Sequence, residues 1–193
     1  RKHNSFADIR HRAGLQSVLP RIQNVLELVK TAGLSTARKA VVVQACEELL
    51  GDARKTGEHP AFELHTNVIA EMSRLTDEEL PRYLFYRFRY EVNPQRRILD
   101  DFPPCLQIEP TSFCNYRCVF CYQTDPSFSD KNSDHMGSMS VDLFKQVVDQ
   151  AVGEVEAVTL ASRGEPFMCP DIKEMLRYIG GKFLALKMNT NAS

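Results

Sequence analysis

Three short strand-like stretches separated by two amphipathic helical ones occupy residues 105–188, and that order leaves few folds open. Cys105-Leu106-Gln107-Ile108-Glu109 alternates apolar with polar residues and stops at Pro110, the pattern of a short strand. Ser140 is placed to cap a helix carrying Val141, Phe144, Val147, Val148 and Ala151 on one stripe. Ala157-Val158-Thr159-Leu160-Ala161 reads as a buried strand. Asp171 opens a second helix with Ile172, Met175, Leu176 and Ile179, closed by Gly180-Gly181, and Phe183 to Met188 is the third strand. Strands alternating with helices predict parallel pairing and right-handed crossovers. In barrels built this way the active site gathers at the C-terminal ends of the strands. Three polar stretches fall there: a cysteine-rich run after strand one, Ser162-Arg163-Gly164-Glu165-Pro166 after strand two, and Asn189-Thr190-Asn191 after strand three. Periodicity alone predicts their convergence on one rim.

The cysteine-rich run is Cys114-Asn115-Tyr116-Arg117-Cys118-Val119-Phe120-Cys121, three thiols at the spacing Cys-x3-Cys-x2-Cys. Closely spaced thiolates hold iron–sulfur clusters, and a cube of four irons takes four of them. Three ligands leave one iron with an open position, where chemistry can happen. The alternative is a structural zinc site, which needs a fourth ligand from Cys46, Cys105 or Cys169, because no second closely spaced pair exists. Six cysteines with three clustered point to metal ligation in a reducing, cytoplasmic compartment rather than to a disulfide framework.

Residues 1–92 read as an all-helical domain. Val18, Ile22, Val25, Leu26 and Val29 recur at helical spacing, with Gly33 as a stop. Ser35 caps a second helix that ends near Gly51, a third runs from about Ala61 to Leu75, and Thr76-Asp77-Glu78-Glu79 is a capping-box opening for a fourth. That fourth helix interleaves Arg82, Arg87 and Arg89 with Tyr83, Phe85, Tyr86, Phe88 and Tyr90. Two readings stay open: a surface for nucleic acid or an acidic ligand, or an amphipathic helix whose aromatics pack on the next domain while its arginines snorkel. Asn93-Pro94 and Asp100-Asp101-Phe102-Pro103-Pro104 mark a linker over 93–104, leaving 105–193 as the second domain. A net charge of −1 gives no electrostatic case for nucleic acid or an anionic membrane. Arg1-Lys2-His3-Asn4 is not followed by the apolar stretch of a signal peptide, and no apolar run reaches the length of a membrane span.

Residues 105–193 resemble the first half of a radical SAM partial barrel, the first three strands of a parallel (β/α)6 barrel. Two motifs carry the likeness: Cys114, Cys118 and Cys121 with the aromatic Phe120 before the last, and Gly164-Glu165-Pro166, similar to the family's Gly-Gly-Glu-Pro turn. The resemblance implies a 4Fe-4S cluster on the three cysteines and S-adenosylmethionine on the remaining iron. It also implies a low-potential electron donor and a 5′-deoxyadenosyl radical that abstracts hydrogen from a substrate. It places Phe120 against the adenine and the Gly164-Glu165-Pro166 turn around the methionine amino group. Arg163, where relatives carry glycine, is expected to reach the methionine carboxylate or the substrate. Asn189 and Asn191 stand where relatives carry Thr-Asn-Gly and either line the pocket or form a strand-end turn. Met136-Gly137-Ser138-Met139-Ser140 resembles the helix approach of members with SPASM or twitch extensions. Tyr116, Arg117 and Tyr122 pack against or shield the loop, and His135 is a solvated loop residue. The substrate is open: a saccharide, another small molecule or a peptide. The rival from another class is a non-catalytic zinc or iron–sulfur module serving folding or interaction. Because the chain stops after an apolar third strand, the expectation is a fragment of a longer enzyme, or a partner chain that supplies the later strands; alone, it is expected to hold a cluster but to bind S-adenosylmethionine poorly.

Overall fold

Apolar residues at helical spacing build the first element. Helix α1, Ser5–Thr31, sinks Val18, Ile22, Val25 and Val29 into a helical core. The computed structural model describes residues 5–51, 62–130, 134–161 and 163–193, and for 5–13 and Leu15 the backbone alone. Arg1–Asn4, Ala61 and Ser162, each used in the sequence reading, lie outside the described residues. The chain divides into two units, Arg1–Asp101 and Phe102–Ser193.

In the first unit α2, Thr36–Leu50, is capped by the Ser35 hydroxyl, which accepts from the Arg38 N–H, and ends on Gly51 at φ 99°, a conformation glycine adopts freely. The third helix is shorter than its sequence pattern: α3 spans Thr66–Met72. Arg21 of α1 satisfies the carbonyls at its end, donating to Met72 O at 2.8 Å and Leu75 O at 2.6 Å while pairing with Asp77 at 2.7 Å. The Glu79 carboxylate accepts the Thr76 N–H at 2.8 Å, half of the expected capping box, and α4 follows as Leu80–Arg96.

Helix α4 departs from expectation twice. It runs through Asn93-Pro94 and stops at Arg97, which takes a left-handed conformation at φ 55°. Pro94 removes the N–H that would reach back to Tyr90 O, but only in the last turn, and the helix end is closed by the Arg97 N–H donating to Pro94 O and the Ile98 N–H to Asn93 O. Nor do all its arginines snorkel. Arg87 and Arg89 are 7% and 6% exposed, paired with Glu91 and Asp100, and Arg89 stacks 4.6 Å over Phe85. Two of its aromatics meet other rings of the same unit edge-on, Phe88 against Phe62 at 5.6 Å and Tyr83 against Tyr86 at 6.1 Å.

The second unit is an open sheet of three parallel strands in the order β1 (Cys105–Ile108), β2 (Ala157–Leu160) and β3 (Ala185–Met188). The polar loop after β1 contains a 3-10 turn, Tyr122–Thr124, and a one-turn helix α5, Pro126–Ser129. Then come α6, Val141–Ala151, capped by Ser140, and, after β2, α7, Ile172–Ile179. β3 starts later than its apolar run; Phe183 lies before it and packs on the core. Alternation sorts the sheet into two faces. Leu106, Ile108, Val158, Leu160 and Met188 share one core with Phe144 and Val148 of α6 and Met175 and Ile179 of α7. The other face carries Gln107, Thr159 and Lys187, paired in register across the three strands. Among the described residues no helix is long and apolar enough to cross a membrane.

Candidate functional site

The chain leaving β1 turns at Pro110 and is clamped at once. Thr111 forms an antiparallel bridge with Ser138, and its hydroxyl lies 2.8 Å from the Ser138 hydroxyl. The Ser112 N–H and hydroxyl both donate to Gly137 O, at 2.9 and 3.1 Å, and Gln123, 3% exposed, donates to Ser112 O at 2.6 Å. The 136–140 segment, expected as an approach to α6, thus also fixes the start of the cysteine loop.

The turn after β2 presses on the same place. A Cβ built on Gly164 meets Thr111 O at 1.8 Å and Phe113 O at 2.9 Å, so only glycine allows this approach of two backbones. The next residue, Glu165, donates its N–H to Phe113 O at 2.9 Å. Its side chain is occupied elsewhere: Oε1 accepts from the Thr190 hydroxyl at 2.7 Å and the Phe167 N–H at 3.2 Å, and Oε2 from the Asn191 N–H at 2.7 Å. Burial, the largest single influence, pushes this carboxyl's pKa up. The bonds from Asn191, Thr190 and Phe167 together outweigh burial and hold it below the usual carboxylate range. The end of β3 closes the circle, because Asn191 Nδ2 donates to Asn115 Oδ1 at 2.9 Å, beside Cys114. All three strand ends therefore meet on one rim.

The three thiols of the loop are free and half-buried. Their sulfurs are not drawn together: among the described residues no three His, Cys, Asp or Glu side chains are gathered closely enough to hold a metal ion. The donor set nevertheless suits iron–sulfur ligation, being three soft thiols on one loop with the backbone tethered at both ends. Cys114 Sγ accepts from the Tyr116 N–H at 3.5 Å, and Cys118 O from the Cys121 N–H at 2.9 Å. The other cysteines lie apart. Cys46 is buried in the helical unit, and burial with Glu47 nearby pushes its thiol up to about 12. Cys169 is in the core under the sheet, and Cys105 begins β1, at the end away from the rim.

The remaining predicted residues divide. Phe120, 89% exposed, stands at the loop tip beside Val119, at 93%. Gly164 and Pro166 are on the rim, and the exposed Asn189 continues the strand ladder through its N–H to Leu160 O at 3.1 Å. Arg163 is paired with Glu109: its Nη2 and Nε meet Glu109 Oε1 at 2.9 and 3.1 Å, and its N–H meets Oε2 at 3.0 Å. Sequence reading missed Asn115, Thr111, Ser112 and Gln123. The available signal was the polar pair Thr111-Ser112 directly after a strand-ending proline, since buried polar groups require partners.

The Radical SAM superfamily's sequence model matches residues 108–193. Over 90 residues, 46% of this chain, the sequence is 32% identical to the tungsten-containing aldehyde ferredoxin oxidoreductase cofactor-modifying protein of Pyrococcus furiosus. The match covers 24% of that relative, so the chain spans about a quarter of its length. No solved structure matches the chain.

Proposed function

Because residues 108–193 form a domain of the radical SAM superfamily, we propose that Cys114, Cys118 and Cys121 hold a 4Fe-4S cluster and that the surrounding rim binds S-adenosylmethionine. One observation carries this reading. The Gly164-Glu165 backbone rests on Thr111 and Phe113, so the two motifs, far apart in sequence, form one surface beside the first cysteine. The cluster, when bound, supplies an electron that cleaves S-adenosylmethionine and so opens hydrogen abstraction from a substrate.

The chain's own residues shape and shield that surface. Gly164, by having no side chain, keeps the β2 turn in backbone contact with the loop. Glu165 spends its carboxylate on rigidity, so acceptors for the methionine ammonium come from backbone carbonyls of the turn through Pro166. Phe120 offers an exposed ring for stacking on adenine. Arg163 orients Glu109 in place of binding the methionine carboxylate. The polar row Gln107, Thr159 and Lys187, with Asn189 beyond β3, favours a polar substrate such as a saccharide, another small polar metabolite or a peptide.

The reading is tested by anaerobic reconstitution followed by assay of 5′-deoxyadenosine released under a low-potential reductant. The expected result is slow, reductant-dependent release that a Cys114→Ala protein lacks. A colourless protein that takes up zinc and leaves S-adenosylmethionine intact would establish the non-catalytic module instead.

A further inference from the structure

We propose that Asn115 and Asn191 are positioning residues whose side-chain bond fastens the cysteine loop to the end of β3 and holds Cys114 in place before metal arrives. The inference rests on the cluster reading above and deepens it. Asn191 is the better anchored partner. Its own N–H is fixed by Glu165 Oε2 at 2.7 Å, so the β2 turn sets its position. Its Oδ1 accepts from the Ser193 N–H at 3.1 Å and the Ser193 hydroxyl at 2.8 Å. A backbone N–H only donates, so the side-chain oxygen must face Ser193 and the amide nitrogen must face Asn115. Asn115 therefore presents Oδ1 to Asn191, at 2.9 Å, and its own Nδ2 donates to the Ser193 hydroxyl at 2.6 Å.

The backbone is bent to make this possible. Ala192 sits at φ 58°, a left-handed conformation uncommon for a residue with a Cβ, and its N–H is held by the Thr190 hydroxyl at 2.9 Å. Strain of this kind persists where surrounding contacts over-determine it. Here those contacts run in one line: Glu165 to Thr190 and Asn191, Asn191 to Asn115, and Asn115 to the neighbouring Cys114. The line links the β2 turn to the metal loop through side chains, independently of the backbone contact at Gly164.

The orientation makes the two asparagines unequal. In Asn115→Asp the oxygen that accepts from Asn191 survives, and the Ser193 hydroxyl, which accepted from Asn115 Nδ2, can turn to donate to the new carboxylate while the Ser193 N–H keeps its bond to Asn191 Oδ1. In Asn191→Asp the donor is lost and two acceptors face each other. The test is amide hydrogen exchange of peptides covering 113–121 in the metal-free protein, with the α6 and α7 amides as internal reference. Asn115→Ala and Asn191→Ala are each expected to speed loop exchange roughly three- to tenfold, the range for losing one hydrogen bond. The double variant should add little further, Asn115→Asp should stay near wild type, and Asn191→Asp should match Asn191→Ala. In reconstituted protein a ferrous chelator should strip iron several-fold faster from both Ala variants. Unchanged loop exchange overturns the proposal whatever the iron content. So does faster exchange with unchanged iron loss in a protein that holds a cluster. A wild-type chain that takes up no iron overturns the cluster reading and this use of the loop with it; the exchange arm, which needs no metal, tells that failure from failure of the tether.

Discussion

Gly164→Ala is the sharpest structural perturbation available. The added methyl would sit 1.8 Å from Thr111 O, 2.7 Å from Thr111 C and 2.9 Å from Phe113 O. Each obstacle is main chain, so no side chain can swing aside. Gly164 does not occupy a positive φ, so sterics alone set the cost. Inserting a methyl into a packed site costs about 1–3 kcal/mol. The displacement also breaks the Glu165 N–H to Phe113 O bond, worth about 1 kcal/mol. The Phe102–Ser193 unit should therefore lose about 3 kcal/mol, which for a domain of this size lowers its melting temperature by about 12–24 °C. Urea unfolding gives the free energy, and amide exchange of residues 105–121 locates the loss on β1 and the cysteine loop. A change below about 0.5 kcal/mol, the range of ordinary surface substitutions, would refute the close approach and the argument that the two motifs share one surface.

Two further outcomes follow from the same geometry. Glu165 has its carboxyl pKa held down in the folded chain, so its contribution is complete above the unfolded value near pH 4.3 and is lost as pH falls through the folded value. Urea midpoints from pH 7 to pH 3 should fall less steeply for Glu165→Gln than for wild type, and parallel curves would contradict the role assigned to its bonds. Phe120→Ala should leave stability within about 0.5 kcal/mol, since the ring is exposed, while weakening S-adenosylmethionine binding roughly three- to tenfold by titration; unchanged affinity removes Phe120 from the site.

Much of the second unit could be read from local rules. Ser140 before an apolar stripe, three short strands, and Gly180 after Ile179 appear where capping and periodicity put them. The cysteine run and the Gly164-Glu165-Pro166 turn were visible as motifs, and strand alternation placed both on one rim. The partners of the rim side chains were not visible. Whether Arg163 faces a ligand or Glu109 depends on two strand ends that only pairing brings together. The engagement of Glu165 by Thr190 and Asn191 depends on the end of β3 lying beside the β2 turn, which the pairing of the two strands brings about. In the helical unit, Pro94 was read as a breaker because local sterics say so. The chain instead continues to Arg96: in the last turn the proline removes a single backbone bond, to Tyr90 O, and the end is closed by the Arg97 and Ile98 N–H groups. Arg87 and Arg89 looked like surface charge because their partners Glu91 and Asp100 are set by packing.

The central claim is that Cys114, Cys118 and Cys121 together ligate an iron–sulfur cluster. Anaerobic iron and acid-labile sulfide analysis of the reconstituted chain, beside single Cys→Ala variants at all six positions, tests it most directly. The account predicts iron and sulfide in equal amounts, lost in each of the three loop variants and kept in Cys46→Ala, Cys105→Ala and Cys169→Ala. Retained iron in Cys118→Ala, or loss confined to Cys169→Ala, would contradict it.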